Sequence, residues 1–459
     1  MKIIIVGQGK VGLLLAERLS AEGHDVTVVD SDPTVIAETQ ETVDILTVEG
    51  NGAALDTLMD AGAGQSDLLI ATTDADETNL LCCLTAKKLG CKRTIARVRN
   101  PQYVKQAIFL KEELGLSFAV NPELAAAKEI FRLIQFPTFL KRETFVRGKV
   151  ELVELQITKD SKLKGKHIYE TASLLGPRVL ICAVERNDKV TIPNGRFVLQ
   201  TGDRITVTAA ATELVSLIRK LGLEKTKIKS AMIVGCSRVA EYLAEDLIKS
   251  GVSVKLLDKK REVCERFSLR FPEALVLHAD AARHGVLEAE GIEHTDAVIT
   301  LTGMDEENLI ISMFASHKGV SKTVTKIDRQ EYARLFSDQG IGSVVCPKDL
   351  TANEIVRYVR AVKESGEGAA VKALHRIVDG KAEALEFEVR VAAEYTNIPL
   401  RRLSLKPNNL LACISRNNQI IIPKGDDMLM VGDNVIVVTT TDQAVGELRD
   451  IFLKDVVEA

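Results

Sequence analysis

The hydrophobic pattern of the chain alternates between two periods. The first apolar run, Ile-Ile-Ile-Val, is short and β-branched, and it predicts a buried strand over 2–6. The apolar residues from Val11 to Leu19 recur at the spacing of one helix face and predict a helix over about 10–22. A second β-branched run predicts a strand over 25–30. Because such alternation is typical of βαβ units, we expect a parallel sheet.

The second half of the chain repeats the first at a nearly constant spacing. Gly7 matches Gly235, a shift of 235 − 7 = 228, and Asp30 matches Asp258 at the same shift. Near the middle of each copy, a run ending in Asn-Leu recurs at a shift of 229, and a later Ile-Pro-x-Gly run recurs at a shift of 230. The chain is therefore a duplication of one long unit and not an array of short solenoid repeats.

Each copy is predicted to have three parts. The α/β part is followed by apolar residues at helical spacing over 121–132, matched by 347–357, which indicate a crossover helix. Turn signals then divide the rest of each copy into short strands, which predicts a small α+β lobe. The predicted parts are a Rossmann-like lobe (1–120), a crossover helix (121–142), a small lobe (143–226), a second Rossmann-like lobe (228–346), a second crossover helix (347–367) and a second small lobe (368–455).

A glycine loop follows the first predicted strand directly and opens the first predicted helix. It reads Gly7-Gln8-Gly9-Lys10-Val11-Gly12. In dinucleotide-binding proteins the first glycine allows the tight turn, the second lets the backbone approach a pyrophosphate, and the third lets the helix pack on the strand. The helix N-terminus also attracts phosphate. Because strand, loop and helix occur in this order, the motif predicts a nucleotide site.

An acidic residue at the end of the second strand completes this pattern. Asp30 lies 18 residues after Gly12, where a carboxylate accepts hydrogen bonds from ribose hydroxyls. Asp30 and nearby Asp32 would repel a 2′-phosphate, so NAD is favoured over NADP.

Polar residues follow the other predicted strands of this lobe. Asn51 lies in a Gly-rich turn, Thr73 and Asp74 follow the strand that contains Ile70, and Arg97 and Arg99 follow the next strand. Open α/β sheets bind ligands at the carboxyl ends of their strands. We therefore expect Thr73 and Asp74 near the ribose or phosphates and the arginines near the phosphates, whereas for Asn51 an adenine contact and an ordinary turn role stay equally open.

The second copy keeps this pattern only in part. Gly235, Asp258 and Lys326 stand where Gly7, Asp30 and Arg97 stand in the first copy. Ser237, however, replaces the middle glycine, at the place where the backbone meets a pyrophosphate. The residues leave open whether this lobe binds a ligand or is a structural copy.

Composition excludes several other classes. The net charge is −4, aromatic residues make up 4% and Trp is absent, so neither a basic footprint nor a stacking platform for nucleic acid is expected. The eight cysteines contain no Cys-x-x-Cys spacing, so we expect free thiols and no metal site. No stretch of about 18 apolar residues occurs, so any work at a membrane is expected through a partner.

The tandem glycine loops, Asp30, and the runs from Ala71 to Asn79 and from Arg97 to Tyr103 together resemble the TrkA family. These proteins are the peripheral subunits of bacterial Trk potassium-uptake systems. The repeat is similar to an RCK (KTN) domain, with an N-terminal Rossmann lobe, a crossover helix and a C-terminal lobe. The resemblance implies binding of NAD(H) and ATP/ADP, and assembly into a cytoplasmic ring, expected to be a tetramer, beneath a TrkH-type membrane subunit. It assigns the nucleotide site to Gly7, Gln8, Gly9, Lys10, Val11, Asp30, Thr73, Asp74 and Arg97.

Two other functions remain as alternatives. An NAD-dependent oxidoreductase needs a proton donor or acceptor beside the nicotinamide. The small lobes contain His167 and His375, at positions that do not match in the repeat and outside any evident acid–base set. A DNA-binding repressor needs a basic helix-turn-helix segment, which the charge does not favour. We therefore predict a nucleotide-sensing subunit that gates a potassium transporter and is not an enzyme.

Overall fold

A computed structural model describes most of the chain. The described residues are 1–101, 103, 109, 115–176, 178–221, 227–283, 285–329, 332, 341–363, 371–378, 381–417, 419–441 and 445–457. The predicted ends of the first small lobe, at 222–226, and of the second crossover helix, at 364–367, lie outside this set. Gln102, in the run from Arg97 to Tyr103, also lies outside it.

The first Rossmann lobe is built on a six-stranded sheet whose order is β3-β2-β1-β4-β5-β6, with parallel neighbours throughout. This is the strand order of dinucleotide-binding folds, and it confirms the predicted fold class. Strands β1, β4 and β5 are buried along nearly their whole length, which explains their continuous apolar sequence. The strands are β1 Lys2–Val6, β2 Asp25–Asp30, β3 Leu46–Glu49, β4 Leu68–Ala71, β5 Thr94–Arg97 and β6 Phe118–Val120.

The helices of this lobe begin and end where local chemistry predicts. Asp32 caps the second helix by accepting from the Thr34 N–H at 2.9 Å, and Pro33 occupies the first turn, where its missing N–H costs nothing. The fourth helix ends at Gly90, whose φ is +117°. The helices are Lys10–Ala21, Pro33–Thr42, Leu55–Asp60 and Asp76–Leu89, followed by the first crossover helix Pro122–Gln135; a 3₁₀ turn spans Ala63–Gln65.

The second Rossmann lobe repeats this arrangement, with the strand order β14-β13-β12-β15-β16-β17. Its strands are β12 Ser230–Val234, β13 Ser253–Asp258, β14 Leu275–His278, β15 Ala297–Thr300, β16 Lys322–Lys326 and β17 Ser343–Val345. Its helices are Arg238–Lys249, Arg261–Arg270, Val286–Ala289 and Asp305–His317, followed by the second crossover helix Pro347–Lys363; a 3₁₀ turn spans Ile292–His294.

The two small lobes contain antiparallel sheets of the same topology. The first has the order β10-β9-β11-β8-β7, and the second, written from its matching edge, has β22-β21-β23-β19-β18. The first lobe comprises β7 Lys141–Phe145, β8 Val150–Gln156, β9 Val179–Arg186, β10 Lys189–Thr191 and β11 Arg204–Ala210, the helices Ile168–Leu175 and Leu214–Leu221, and 3₁₀ turns at Val146–Gly148 and Ala211–Glu213.

In the second small lobe, strands and short turns form the described structure. A final strand, β24, pairs antiparallel with β20, and 3₁₀ turns lie at Leu400–Arg402 and Leu448–Ile451. Pro399, with φ −56° and ψ 132°, lies directly before the first of these turns. The strands are β18 Val371–Ile377, β19 Ala382–Glu388, β20 Leu403–Leu405, β21 Asn409–Arg416, β22 Gln419–Ile421, β23 Asn434–Thr440 and β24 Phe452–Val457.

The chain divides into two compact units, which do not follow its two halves. One unit contains both Rossmann lobes, over residues 1–131, 230–318 and 324–356. The other contains both small lobes, over residues 132–229, 319–323 and 357–459. Among the described residues, no helix is long and apolar enough to cross a membrane.

A buried carboxylate pairs with an arginine at the same position of each small-lobe sheet. Our first prediction concerns the effect of removing this carboxylate. Asp203 accepts from Nε and Nη2 of Arg186, both at 2.7 Å, and from the Gln200 N–H at 2.8 Å; Asp433 repeats this arrangement with Arg416. Asp203→Ala leaves a guanidinium without its partner, so we expect a loss of about 3 kcal/mol, at the lower end for a broken buried pair. Thermal melting of the full chain measures this loss.

The exposed Asp160 of the same lobe provides the control for this prediction. Asp160→Ala should leave the melting temperature unchanged, as surface substitutions usually do. Equal melting temperatures for Asp203→Ala and Asp160→Ala would show that the buried pair contributes nothing to stability.

Candidate functional site

The first glycine loop uses two of its glycines for folding. Gly7 has a φ of +91°, and a Cβ added there would lie 2.7 Å from the backbone nitrogen of Thr73. A Cβ on Gly12 would lie 2.0 Å from the carbonyl oxygen of Gly7. Both positions therefore require glycine because backbone segments meet there.

Gly9 differs from the other two glycines. Its φ is −67°, which any residue adopts, and a Cβ added there meets no protein atom within 4 Å. The fold itself therefore does not require glycine at this position. Open space at the start of the helix Lys10–Ala21 is where a phosphate approaches the free N–H groups of a helix N-terminus. This geometry agrees with the expectation that the middle glycine serves a ligand.

Asp30 is fixed by the loop that it faces. Its Oδ2 accepts from the Gln8 N–H at 2.6 Å, and its Oδ1 accepts from the Asp32 N–H at 3.0 Å. A carboxylate has about four lone-pair sites, so these two bonds leave capacity for ribose hydroxyls. The structure thus brings the end of β2 and the glycine loop together, as the sequence predicts.

The four polar residues after β4 and at the end of β5 form one cluster. Nη2 of Arg97 donates to the Thr73 carbonyl at 2.7 Å and to Oδ1 of Asp74 at 2.9 Å. Nη2 of Arg99 donates to the Asp74 carbonyl at 2.5 Å. The guanidinium of Arg97 is buried, whereas the Asp74 side chain is 98% exposed. Both arginines therefore lie at the carboxyl edge of the sheet, but each already makes contacts within the protein.

A buried amide that sequence reasoning did not select as a site residue holds this cluster together. Oδ1 of Asn79 accepts from the N–H and the hydroxyl of Thr73, at 2.8 and 2.7 Å. Nδ2 of Asn79 donates to the carbonyls of Thr73 and Arg97, at 3.0 and 2.9 Å. Asn308 makes the corresponding bonds to Thr302 and Lys326. The recurrence of this Asn at the same place in both copies is the sequence signal that could have identified it.

A buried carboxylate acts in a similar way on the following loop. Oδ2 of Asp76 accepts from the N–H groups of Arg99 and Asn100, at 2.9 and 2.8 Å. Asp305 accepts from the N–H groups of Asp328 and Arg329 in the second lobe. These carboxylates orient the loops after β5 and β16 through their backbones.

The remaining predicted residues of the first site take other positions. The side chain of Asn51 accepts from the Ala53 N–H at 3.0 Å and closes a local turn, and the residue is exposed. Val11 is buried in the core, so only its backbone faces the loop. Lys10 is exposed, and its Nζ lies 2.7 Å from Oδ2 of Asp328, in the second Rossmann lobe.

Several buried polar atoms around the first loop have no hydrogen-bond partner among the described residues. They are Nε2 and Oε1 of Gln8, Oδ1 of Asp76, Nε of Arg97 and Nε of Arg99. Gln8 is 6% exposed, and a buried amide without partners is costly. Polar atoms left unsatisfied beside an open glycine loop fit a site for a polar, phosphate-bearing ligand.

The second lobe has a related but altered site. Asp258 accepts from the N–H groups of Cys236 and Lys260, both at 2.8 Å, as Asp30 does in its lobe. Ser237 has φ −82° and ψ 175°, close to the backbone of Gly9, and its hydroxyl accepts weakly from the Ala240 N–H at 3.4 Å. Serine therefore causes no strain, but it places a side chain where Gly9 leaves space.

A cavity of about 350 Å³ adjoins this second loop. Gly235, Ser237 and Asp258 line it. Lys326 is not among its lining residues, and its Nζ lies 3.7 Å from Oδ1 of Asp328. The structure therefore groups three of the four residues predicted for this site and places the fourth beside Asp328.

Neither the cysteines nor the residue types that bind metals form another candidate site in the described part of the chain. All eight cysteines are described, free and buried. Burial raises the pKa of Cys82 to about 12, so its reactive thiolate form is disfavoured. No group of three or more His, Cys, Asp or Glu suited to a metal ion occurs within the part of the chain that the structure describes.

Comparison with known proteins gives a consistent result over nearly the whole chain. The family model described as the TrkA-N domain matches residues 3–122 and 231–347, and the TrkA-C domain matches residues 152–222. A Trk system potassium uptake protein TrkA homolog from Archaeoglobus fulgidus is 33% identical over 452 residues, which are 98% of this chain and 100% of that protein.

Solved structures share the fold at low sequence identity. The GsuK channel bound to NAD superimposes with a TM-score of 0.62 at 18% identity, over 96% of this chain and 77% of that chain. The GsuK structure bound to ADP superimposes with a TM-score of 0.52 at 15% identity, over 79% and 69% of the two chains.

The role of Asn79 generates a second prediction. Asn79→Ala removes four hydrogen bonds and leaves backbone groups of Thr73 and Arg97 unpaired, so we expect a loss on the order of 3 kcal/mol. Amide hydrogen exchange should accelerate in peptides covering 71–76 and 97–100, because the two strand ends are no longer joined.

Lys88, exposed on the same helix, provides the matched control. Lys88→Ala should leave exchange in both peptides at the wild-type rate. Unchanged exchange in folded Asn79→Ala would mean that the amide does not hold these strand ends.

Proposed function

The chain belongs to the TrkA family, and on that premise we propose that it is a nucleotide-sensing regulatory subunit that gates a membrane potassium-translocating subunit of the TrkH type. Regulation of a potassium transport system is the part of this proposal that the family supports. The identity of the membrane partner, and gating by nucleotides, are our extension of it.

The first glycine loop carries the nucleotide part of the proposal. Gly9 is open where the fold needs no glycine, Asp30 accepts from the Gln8 N–H of the loop, and the side-chain amide of Gln8 is buried without a partner among the described residues. We propose Gly7, Gln8, Gly9, Lys10, Val11, Gly12, Asp30, Asn51, Thr73, Asp74, Arg97 and Arg99 as the ligand-binding residues of this lobe. Gly235, Ser237, Asp258 and Lys326 are the corresponding set in the second lobe.

NAD(H) and ATP or ADP are the proposed ligands. Asp30 and Asp32 disfavour a 2′-phosphate, which supports NAD over NADP. The related fold of GsuK, solved with NAD and with ADP, supports both ligand types. Arg97 and Arg99 would contact the phosphates, and charge-assisted bonds of this kind contribute on the order of 1.5–3 kcal/mol.

Gating follows if the ligands favour different conformations. A ligand shifts an equilibrium only through its differential affinity for the two states. ATP concentrates negative charge near the loop, ADP has one phosphoryl group fewer, and a dinucleotide extends a second nucleoside across the site. Allosteric couplings span about 1–3 kcal/mol, so one arginine–phosphate contact is enough to change the preferred state.

Binding without turnover is the proposed role of these ligands. The residues that follow strands β1, β2, β4 and β5 in the first lobe include no histidine. The cluster of Thr73, Asp74, Arg97 and Arg99 contains no evident proton donor and acceptor pair for hydride transfer. We further propose that the chain assembles into a tetrameric ring and lies at the inner face of the cell membrane, bound to its partner and not inserted.

Our third prediction tests ligand binding at the first loop. Gly9→Val fills the space before the helix N-terminus, so affinity for NADH and ADP should fall about tenfold or more, equivalent to about 1.4 kcal/mol or more. Isothermal titration calorimetry on the full chain measures this change, and a melting curve checks that the variant is folded.

Gly195→Val in the first small lobe is the matched control, because a Cβ there only touches Tyr169 at 3.8 Å. It should bind both ligands as the wild type does. Wild-type affinity in folded Gly9→Val would contradict the site, and steady oxidation of NADH with a hydroxy- or ketoacid would favour the oxidoreductase.

Our fourth prediction tests gating. The complex with its membrane subunit is reconstituted in vesicles, and potassium flux is measured with ATP, ADP and NADH. Arg97→Ala should reduce the difference between ATP and ADP, because the cation that distinguishes their phosphates is removed.

Asp74→Asn is the control for loss of the Arg97–Asp74 ion pair alone, since it keeps the cation. It should retain the difference between ATP and ADP. Equal flux of the wild-type complex with every nucleotide and with none would refute nucleotide gating.

A further inference from the structure

The first glycine loop is in direct contact with the second Rossmann lobe. Nζ of Lys10, at the start of the helix after the loop, lies 2.7 Å from Oδ2 of Asp328. The Lys10 side chain is 70% exposed and that of Asp328 is 21% exposed. The lysine of the first glycine loop is thus paired with a carboxylate that belongs to the other lobe.

Asp328 is held firmly in this place. Its N–H donates to Oδ1 of Asp305 at 3.0 Å, and Nζ of Lys326 lies 3.7 Å from its Oδ1. Burial raises the pKa of Asp328, but the hydrogen bond with Lys10 and the charges of Lys326 and Lys348 outweigh burial and bring the pKa below its ordinary value. The carboxylate is therefore ionised at neutral pH.

A second contact keeps the same helix against the second lobe. Arg18 donates to Oδ1 of Asp349 at 2.5 Å and to Oδ1 of Asn353 at 2.7 Å. Both side chains of the Arg18–Asp349 pair are only 11% exposed. Because this buried contact holds the helix, the exposed Lys10–Asp328 pair is not needed for that purpose, and exposed pairs contribute only about 0–1 kcal/mol.

Asp328 carries the opposite charge to its counterpart in the first copy of the repeat. Asp328 matches Arg99 at a shift of 229. The Arg99 carbonyl accepts from the hydroxyl of Tyr242, at 3.4 Å, and Tyr242 lies one turn into the helix after the second loop. Each lobe therefore contacts the other lobe's loop helix at this position, but the first does so through the Arg99 carbonyl and the second through the charged side chain of Asp328.

We propose that Asp328 is a specificity-determining residue of the first nucleotide site, selecting against ligands that extend a terminal phosphate beyond the diphosphate. This inference rests on the proposed function. Asp328 neutralises Lys10, so the charge of Lys10 is not available to a terminal phosphate. A dinucleotide carries two phosphates flanked by nucleosides, whereas ATP brings its most highly charged phosphate to the end of the chain. The ion pair therefore removes the attraction that an unpaired Lys10 would give to the terminal phosphate of ATP.

Calorimetry on the full chain tests this proposal, with NADH, ADP and ATP as probes. In the wild type, ATP should bind no more tightly than ADP, despite its additional charge beside a lysine. Asp328→Asn should raise the ATP-to-NADH affinity ratio about tenfold. Asp328→Arg, which copies the first lobe's residue, should raise the ratio further.

Two variants serve as controls, and melting curves check folding. Asp328→Glu keeps the charge and should keep the wild-type ratio. Glu293→Gln removes the same charge from the same lobe but pairs with Lys318 instead, so its ratio should also be unchanged.

The outcomes separate this inference from the proposed function. If the wild type binds nucleotides but folded Asp328→Asn and Asp328→Arg keep its affinity ratio, selection by Asp328 is wrong and the nucleotide site stands. Tenfold tighter binding of ATP than ADP by the wild type also refutes the selection, without any variant. If the wild type binds no nucleotide, both fail.

Discussion

The buried amide of Asn79 joins the ends of strands β4 and β5, and the arrangement of the first site depends on this contact. Its four hydrogen bonds connect the N–H, hydroxyl and carbonyl of Thr73 with the carbonyl of Arg97. Because β1 lies beside β4, the same edge also carries the glycine loop, which Thr72 joins through the Gly7 carbonyl at 2.9 Å. The residues that we propose for ligand binding are thus held in place by contacts within the protein, as preorganised sites require.

The two copies share this hydrogen-bonded framework but differ in the residues around it. Asn308 and Asp258 preserve the contacts of Asn79 and Asp30 almost unchanged. The exposed positions differ: Gly9 corresponds to Ser237, and Arg99 corresponds to Asp328. Buried polar contacts are costly to lose, whereas loop-facing residues change at little cost to folding. The two copies therefore share one framework but differ in the residues around their loops.

The two Rossmann lobes contact each other through the helices that follow their glycine loops. The helix after the first loop contacts the second lobe at Lys10 and Arg18, and the helix after the second loop contacts the first lobe at Tyr242. Arg18 reaches Asp349 and Asn353 on the second crossover helix. The helix after the first loop is therefore in direct contact with the crossover helix of the other copy.

Much of the fold and part of the site follow from local sequence patterns. β-branched runs, helical spacing and glycine positions placed β1, the first helix and β2 correctly, because those signals depend on neighbours within a few residues. The glycine motif likewise predicted that Asp30 ends the second strand, whereas its hydrogen bond to the Gln8 N–H is known only from the structure. The domain boundaries and the ligand roles of the site residues stay predictions.

Tertiary structure alone decided the partners of the side chains. Sequence could not show that Arg97 already contacts Thr73 and Asp74, or that Asn79 organises the cluster. Nor could it show that Lys10 faces Asp328, which lies 318 residues away. Such contacts depend on how distant segments pack, and hydrophobic periodicity specifies which face of an element is buried but not which element covers it.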